Sequence, residues 1–285
     1  MAGVAEIRIE VGASDDARLI QRRRNLDDVA MRLSLESAEQ GRVWVARDDQ
    51  EAVGIAVVRD SDEERYVGDL FVEPSYRGQG IGAALLEAAL TDVDLTRTML
   101  IDPNDAAGVA LALRFGLAPR ESILRFAGAI PKEEELAKMA AGDYRFQVDT
   151  IDPTTHRFAL DELDHHARGT TRPGDHAAFA LESCGHVFFL NGESVGYAYV
   201  WPDGRIGPLA CASEAYLVQI FAYALVTLTR TYSASWCTAL VPGSNGRIAR
   251  TALRAGLRVN EMFLLSSDRS SAEFSAYVGC HQLAL

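Results

Sequence analysis

The sequence predicts an α/β (α+β) protein built as two tandem domains, each a mixed, mostly antiparallel sheet flanked by helices. Three observations carry that prediction. A length of 285 residues lies between one large domain and two of ordinary size. The chain also repeats itself: "EAVGIAVV" from Glu51 is echoed by "ESVGYAYV" from Glu193, and "GRVWVA" from Gly41 by "GHVFFL" from Gly185. Further on, "DPNDAAGVALALRFGL", ending at Leu117, is echoed by "VPGSNGRIARTALRAGL", ending at Leu257. The offsets (193 against 51, 185 against 41, 257 against 117) stay close to 140, too long for a solenoid and suited to two copies of one domain. Third, the first copy alternates period-2 and period-3.6 segments in the order β, αα, βββ, α, β, α, β.

Each element of that copy has a local reason. "AEIRIEV" alternates as a strand, and Ser14 with its following acids caps a helical region running to about Ala38. "RVWVAR" and "AVGIAVVRD" form a hairpin around the Asp48–Glu51 turn, and "RYVGDLFVEP" is the next strand. A helix from Gly80 to Leu90 follows, then the strand "RTMLID". The next helix is capped by Asn104 or Asp105 and closed by Gly116, and "SILRFAG" is the last strand. The expected boundaries are residues 1–128 for the first domain, 129–143 for a Pro-initiated acidic helical linker, and 144–285 for the second.

Composition narrows the function classes. A formal charge of −12 repels nucleic acid and anionic lipid and favours cationic partners. The one basic run, Arg22–Arg24, sits in an otherwise acidic helix and reads as a solvated face. The apolar stretch Leu209–Thr229 is interrupted by Ser213, Glu214 and Gln219, which suits a buried helix better than a membrane span. The opening residues have neither the basic start nor the apolar run of a signal peptide, so a cytoplasmic location is expected. Cys184, Cys211, Cys237 and Cys280 show no CxxC pair and read as reduced core thiols.

The chemistry concentrates in "LFVEPSYRGQGIGAALLEAAL". Three glycines in six residues ahead of an apolar helix suit a phosphate ligand. No GKS or GKT follows, which excludes a Walker loop. Gly78-x-Gly80-x-x-Ala83 fits a dinucleotide fingerprint, but "EPSY" separates Val72 from Arg77 and a hairpin precedes the unit, whereas a dinucleotide loop starts where its strand ends. A purely structural turn needs no arginine and no second and third glycine.

This stretch resembles motif A of the GCN5-related N-acetyltransferase (GNAT) superfamily, a strand ending V-x-P and then Q/R-x-x-G-x-G/A opening a helix, with Arg77, Gly80 and Gly82 in the fixed positions. The resemblance covers residues 4–128 and implies two tandem GNAT-like domains with acetyl-CoA as the cofactor. Main-chain N–H groups from Gly78 through Gln79, Gly80, Ile81 and Gly82 to Ala83 would surround its pyrophosphate. Leu70, Phe71 and Val72 would lie beside the thioester, with main-chain N–H polarising its carbonyl, and Asn104 would lie near the pantetheine arm. An amine attacks directly in this family. Asp69 and Glu73 are the candidate bases, on one strand face by their parity with Phe71, and Tyr66, on the other face, is a third candidate. A solvated or ion-paired carboxylate is an equally good reading of each acid.

Two departures from the family pattern matter. The helix after Asn104 lacks the usual general-acid tyrosine; Leu111 and Ala112 stand in its neighbourhood. The second copy resembles the same fold but has "GRIGPLACASEAYLVQIFAYALV" where the glycine loop belongs, with Glu214 where an anion needs donors, so it reads as degenerate. The expected function is acetyl transfer to the amine of a small or cationic acceptor, by a monomer or homodimer that takes up neither nucleic acid nor membrane. A coenzyme A-binding sensor or scaffold, and a tandem acyltransferase of thiol biosynthesis resembling mycothiol synthase, are the alternatives.

Elsewhere, "DELDHHARGTTRPGDH" sets Asp161 with His165 and Glu162 with His166 at i, i+4 and adds His176. Adjacent histidines point to different sides of a helix, so no metal is expected, and an electronegative rim for a basic substrate is the better functional reading. Tyr216, Phe221 and Tyr223 read as core or as an interface.

Overall fold

A computed structural model of the chain describes residues 7–23, 28–91, 94–269 and 274–282. Ala5 and Glu6 of the expected first strand, and Arg24 of the basic run, lie outside these residues. The chain divides into two compact units, Met1–Ala118 with Ser266–Arg269, and Pro119–Leu265 with Ser270–Leu285.

The first unit runs β1 (Arg8–Val11), α1 (Ser14–Arg23), α2 (Asp28–Glu39), β2 (Val43–Asp48), β3 (Glu51–Asp60) and β4 (Glu64–Val72). A 3-10 turn at Pro74–Tyr76, α3 (Ile81–Leu90), β5 (Thr96–Ile101) and α4 (Ala106–Arg114) complete it. The strands lie in sequence order, antiparallel except for the parallel pair β4–β5. Two apolar clusters sandwich the sheet: Val43, Val45, Ile55 and Val57 with Ala17 and Leu35 on the α1/α2 side, and Val53, Val58 and Val67 with Leu85, Leu86 and Ala89 on the α3 side. Each fully buried leucine there contributes roughly 1.5–3 kcal/mol.

The second unit repeats the element order after a helix of its own. It opens on β6 (Ala118–Ala129) and α5 (Glu133–Ala140), then β7 (Gln147–Thr150), α6 (Arg157–Arg168), α7 (Pro173–Glu182), β8 (Cys184–Leu190), β9 (Glu193–Val200) and β10 (Arg205–Cys211). The rest is α8 (Glu214–Tyr232), β11 (Trp236–Pro242), α9 (Gly246–Arg254), β12 (Arg258–Ser267) and β13 (Tyr277–Val278). Its strand order is β12-β6-β11-β10-β9-β8-β7, with β13 against β10. Phe221 of α8 and Leu136 of α5 belong to its core cluster, and the partly buried Tyr216 and Tyr223 of α8 pack against it.

The glycine shared by the two repeated hairpins has a packing reason. A Cβ on Gly54 would meet Leu85 of α3 and the Phe71 carbonyl at 3.1 Å; one on Gly196 would meet Ile220 of α8 at 2.7 Å and the Ala210 carbonyl at 3.0 Å. In both units the helix closes directly onto the hairpin at this point.

The final strand of each copy is placed in a way the repeat does not show. β6, expected to close the first copy, pairs with β11 from Ile123–Pro242 to Ala129–Trp236. The first unit instead takes in Ser266–Arg269. There the Asp268 N–H donates to the Arg97 carbonyl (3.2 Å), and the Asp268 carboxylate accepts from the Arg97 N–H (3.0 Å) and Nε (2.7 Å).

Candidate active site

The site begins with a break in the pairing of β4. Residues 64–67 pair in parallel with residues 96–99 of β5, and the register ends at Val67–Met99. On the other edge β4 stays paired with β3 as far as Val72–Gly54, with one irregularity: Val57 faces Asp69 and Val58 faces Val67. Gly68 is therefore a bulge residue, and from it onward β4 follows β3 away from β5.

The bulge changes which side chains share a face. A regular strand puts Tyr66 opposite Asp69, as the sequence leads one to expect. One extra residue inverts the alternation, so Tyr66 joins Asp69 and Phe71 on the α1/α2 side; Phe71 packs against the cluster containing Ile55 and Val57. Leu70 and Val72 pack with Val67 on the α3 side. Asp69 is 9% exposed and Tyr66 6%, while Glu73 is half-buried just beyond the strand end.

The bulge also leaves a readable pattern of amides. The Glu73 N–H donates to the Val53 carbonyl at 2.8 Å. Antiparallel alternation then turns the Phe71 amide toward β3 as well, and the amides of Leu70 and Val72 toward the unpaired edge. The Val72 carbonyl, on that edge, accepts from Arg77 Nε at 3.0 Å.

Beyond Val72 the chain is pinned before it turns into α3. The Tyr76 hydroxyl donates to Asp48 at 2.8 Å, which ties the 3-10 turn to the end of β2 and pushes the phenol pKa up. Gly78 and Gly80 have φ of +77° and +85°, a conformation that side-chain-bearing residues resist, and nothing lies within 4 Å of either Cβ direction. Gly82 has an ordinary φ; Leu111 of α4 and Val72 come within 3.5 and 3.8 Å of its Cβ direction.

The result is an array of donors. Among the described residues, the main-chain N–H groups of Gly78, Gln79, Gly80, Ile81, Gly82 and Ala83 form no hydrogen bond. The first intrahelical bond across the cap is from the Ala84 N–H to the Gly80 carbonyl at 3.0 Å. Several of these groups are the orphan donors of a helix start, where the α3 dipole adds positive potential. A diphosphate has the charge and the acceptor oxygens to satisfy them.

Downstream, Asp102 accepts from the Asn104 N–H (2.8 Å) and from its Nδ2 (3.0 Å), and Asp105 caps α4 by accepting from the Gly108 N–H at 2.9 Å. The helix presents Leu111 toward the start of α3, beside Gly82.

The equivalent start in the second unit is closed by its own residues. Ser213 caps α8, its hydroxyl accepting from the Ala215 N–H at 3.2 Å, and Glu214 lies 3.6 Å from Arg247. The histidine segment resolves differently from its spacing. Asp161 lies 3.5 Å from Arg157, and Glu162, His165 and His166 are exposed. Asp164 and His176 are the buried members, and they belong to a network that the i, i+4 reading missed. Arg172 Nε and His176 Nε2 donate to one oxygen of Asp164 (3.1 and 2.9 Å), and the Tyr197 hydroxyl donates to the other. His176 Nδ1 lies 3.0 Å from the Tyr199 hydroxyl. Burial alone would raise the Asp164 carboxyl pKa, but Arg172 and the His176 hydrogen bond outweigh it and hold the group far below the usual carboxylate range. Among the described residues, no group of three or more His, Cys, Asp or Glu side chains is arranged to hold a metal ion, and no helix is long and apolar enough to cross a membrane.

Residues 39–115 match the family model described as acetyltransferase (GNAT) domain. No curated protein matches the chain. Among solved structures, the chain is similar to a putative acetyltransferase from Pyrococcus horikoshii, with 16% identity over 100% of this chain and 97% of that one and a TM-score of 0.73. It is also similar to a tandem GNAT protein from the clavulanic acid biosynthesis pathway (16% identity, 92% and 98% covered, TM-score 0.61). A third is a GCN5-related N-acetyltransferase from Sphaerobacter thermophilus (18% identity, 92% and 95% covered, TM-score 0.58). At these identities the likeness is one of fold. The chain has the fold of the GCN5-related N-acetyltransferases in tandem form, and its residues 39–115 match the acetyltransferase (GNAT) domain model.

Proposed function

We propose that the first unit is an acetyl-CoA-dependent N-acetyltransferase that passes the acetyl group directly to the amine of a small or cationic acceptor. The observation that carries this reading is the run of six unbonded main-chain N–H groups, Gly78 to Ala83, beside the unpaired edge of β4. The net charge of −12 favours a cationic acceptor over an anionic one.

The residues fit coenzyme A. The six amides would hold its diphosphate, and the Leu70 and Val72 amides would face its arm and acyl end. When bound, it supplies an activated acyl thioester. The second unit supports the same fit from within the chain: Asn245, the counterpart of Asn104, donates its Nδ2 to a main-chain carbonyl, that of Tyr277, at 2.9 Å. An extended chain bearing amides is what that asparagine holds there, and the pantetheine arm is also such a chain.

The remaining work falls to side chains on the α1/α2 side of β4. An ammonium must lose its proton before it can attack, and Asp69 or Glu73, directly or through water, takes it. The Leu70 and Val72 amides would stabilise negative charge on an acyl oxygen placed at this edge. Leu111 and Ala112 of α4 offer no proton to a leaving group; a coenzyme A thiolate would be a fair leaving group without a side-chain acid.

The absence of a tyrosine in α4 favours one second reading, a coenzyme A-binding sensor that transfers nothing. Titration calorimetry with acetyl-CoA, followed by thiol release across a panel of small amines, separates the two. Binding with turnover on at least one amine is expected. Binding without turnover on any amine supports the sensor, and no binding overturns both.

A further inference from the structure

The second unit has the same opening in its sheet, and it is filled. β10 and β11 pair in parallel only at Arg205–Thr238 and Ile206–Ala239. Past that point β13 lies antiparallel to β10, with Leu209 opposite Val278 and Ala210 opposite Tyr277. The Cys211 N–H donates to the Ala276 carbonyl at 3.0 Å. On its other edge, the Gly279 N–H donates to Leu240 at 2.8 Å and the Leu240 N–H donates back at 3.3 Å. A short segment from the far end of the sequence thus bonds both strands across the gap.

The surroundings recognise this segment as a pocket recognises a ligand. Asn245 uses its Oδ1 to cap α9, accepting from the Ile248 N–H at 3.1 Å, and its Nδ2 to hold the Tyr277 carbonyl. Gly207 admits the segment closely, since a Cβ there would stand 2.5 Å from the Gly279 carbonyl oxygen. Ala276 and Val278 join the α8 core, whereas Tyr277 is fully buried on the other side and its hydroxyl accepts from Arg172 Nη2. Arg172 is held in turn by Asp164, and its Nη1 is buried without a hydrogen-bond partner. The pocket therefore offers one more donor than the tyrosine uses.

We propose that the cleft of the second unit is a strand-binding site whose ligand is the chain's own segment Phe274–Gly279, recognised by the main chain of β10 and β11 and by the Arg172–Tyr277 contact. It takes an extended peptide with one buried tyrosine, in the manner of β-strand addition. Occupancy from within the same chain keeps the effective concentration high, so a free competitor enters only once the resident segment is weakened. The assignment stands independently of what the first unit transfers.

Cys280 reports on the segment in the full-length protein. It is 5% exposed, and burial pushes its thiol pKa up to about 11. Alkylation with residue-level mass spectrometry should find Cys280 as slow as the core residues Cys211 and Cys237. Tyr277→Phe removes one hydrogen bond to a charged group and should speed labelling of Cys280 by about tenfold. Tyr277→Ala, which also removes the ring, should speed it by on the order of a hundredfold. Cys211 and Cys237 should stay slow in both. In the Tyr277→Ala chain, a synthetic peptide of residues 274–282 with Ser in place of Cys280 should raise Cys280 labelling further and saturably, and the same peptide with Ala at position 277 should not. The proposal is overturned if Cys280 tracks Cys211 and Cys237 in both variants, or if the two peptides act alike.

Discussion

The two copies differ most at one joint, where the strand beside the opening passes into the following helix. In the first unit, β4 leads through a tyrosine-pinned turn and two left-handed glycines to α3, whose leading amides are bonded to nothing among the described residues. In the second, β10 leads through Ala212 directly to Ser213, which satisfies the Ala215 amide itself, with Glu214 beside it. Both helices pack on their sheets over a glycine in the hairpin. The comparison separates two demands on one architecture. Keeping the fold requires apolar positions and one close approach; leaving helix-start donors unsatisfied is a separate feature, with a standing cost that a bound anion would offset.

The largest expected effect tests that joint directly. Gly80→Glu adds a side chain at φ +85° and a carboxylate among the donors, and acetyl-CoA affinity by calorimetry should fall by more than about 100-fold. Ala212→Glu, an exposed position at the corresponding joint, should leave affinity within about twofold. Comparable losses from both would end the one-site comparison.

Next in size is the buried network around Asp164 in the second unit. Asp164→Ala strands Arg172 without its counter-charge and should cost about 3–5 kcal/mol of unfolding free energy in urea. The same group sets a pH dependence. Its folded pKa lies below its unfolded value, so its stabilisation is fully present above the unfolded carboxylate pKa, near about 4, and is lost as pH falls further. The groups facing it, Arg172, His176 and Tyr197, come from α7, its approach and β9. Urea midpoints for the wild type should drop from about pH 4 downward; Asp164→Asn should flatten that slope.

In the first unit the counterpart test is kinetic. Asp69→Asn should lower kcat by about 100-fold if this carboxylate takes the acceptor's proton, and leave the acetyl-CoA Kd unchanged. A kcat within about threefold of wild type would shift the role to Glu73. The smallest effect is expected at Arg125–Glu261, a half-exposed pair at 2.7 Å between β6 and β12. Arg125→Ala should change stability by less than about 1 kcal/mol, and a larger loss would show that this strand pair matters more than its surface chemistry suggests.

The sequence made the repeat, the glycine joint and the order of elements readable, because each rests on local rules: period, caps, and the backbone freedom that Gly78 and Gly80 require. What it hid are non-local facts. The Gly68 bulge moves Tyr66 to the face of Asp69, and nothing in "RYVGDLFV" marks which residue is skipped. Asp164 and His176 lie 12 positions apart and meet only after α6 and α7 pack, whereas the i, i+4 pairs that spacing favours face outward. β13 is two residues long, below the length at which alternation registers. Phe71 stands in the expected stretch, but its amide is committed to β3, which only the register reveals.

The placement of the last strands bears on how the chain is made. Residues 266–269 complete the first unit and β6 belongs to the second, so neither unit corresponds to one uninterrupted half of the gene product. As the chain leaves the ribosome, the first unit must wait for residue 268 before Arg97 finds its carboxylate. A break anywhere between the copies removes a strand from one sheet and a closing segment from the other. Synthesis errors that stop translation early should therefore yield no half-working protein, only clients for chaperones and proteases.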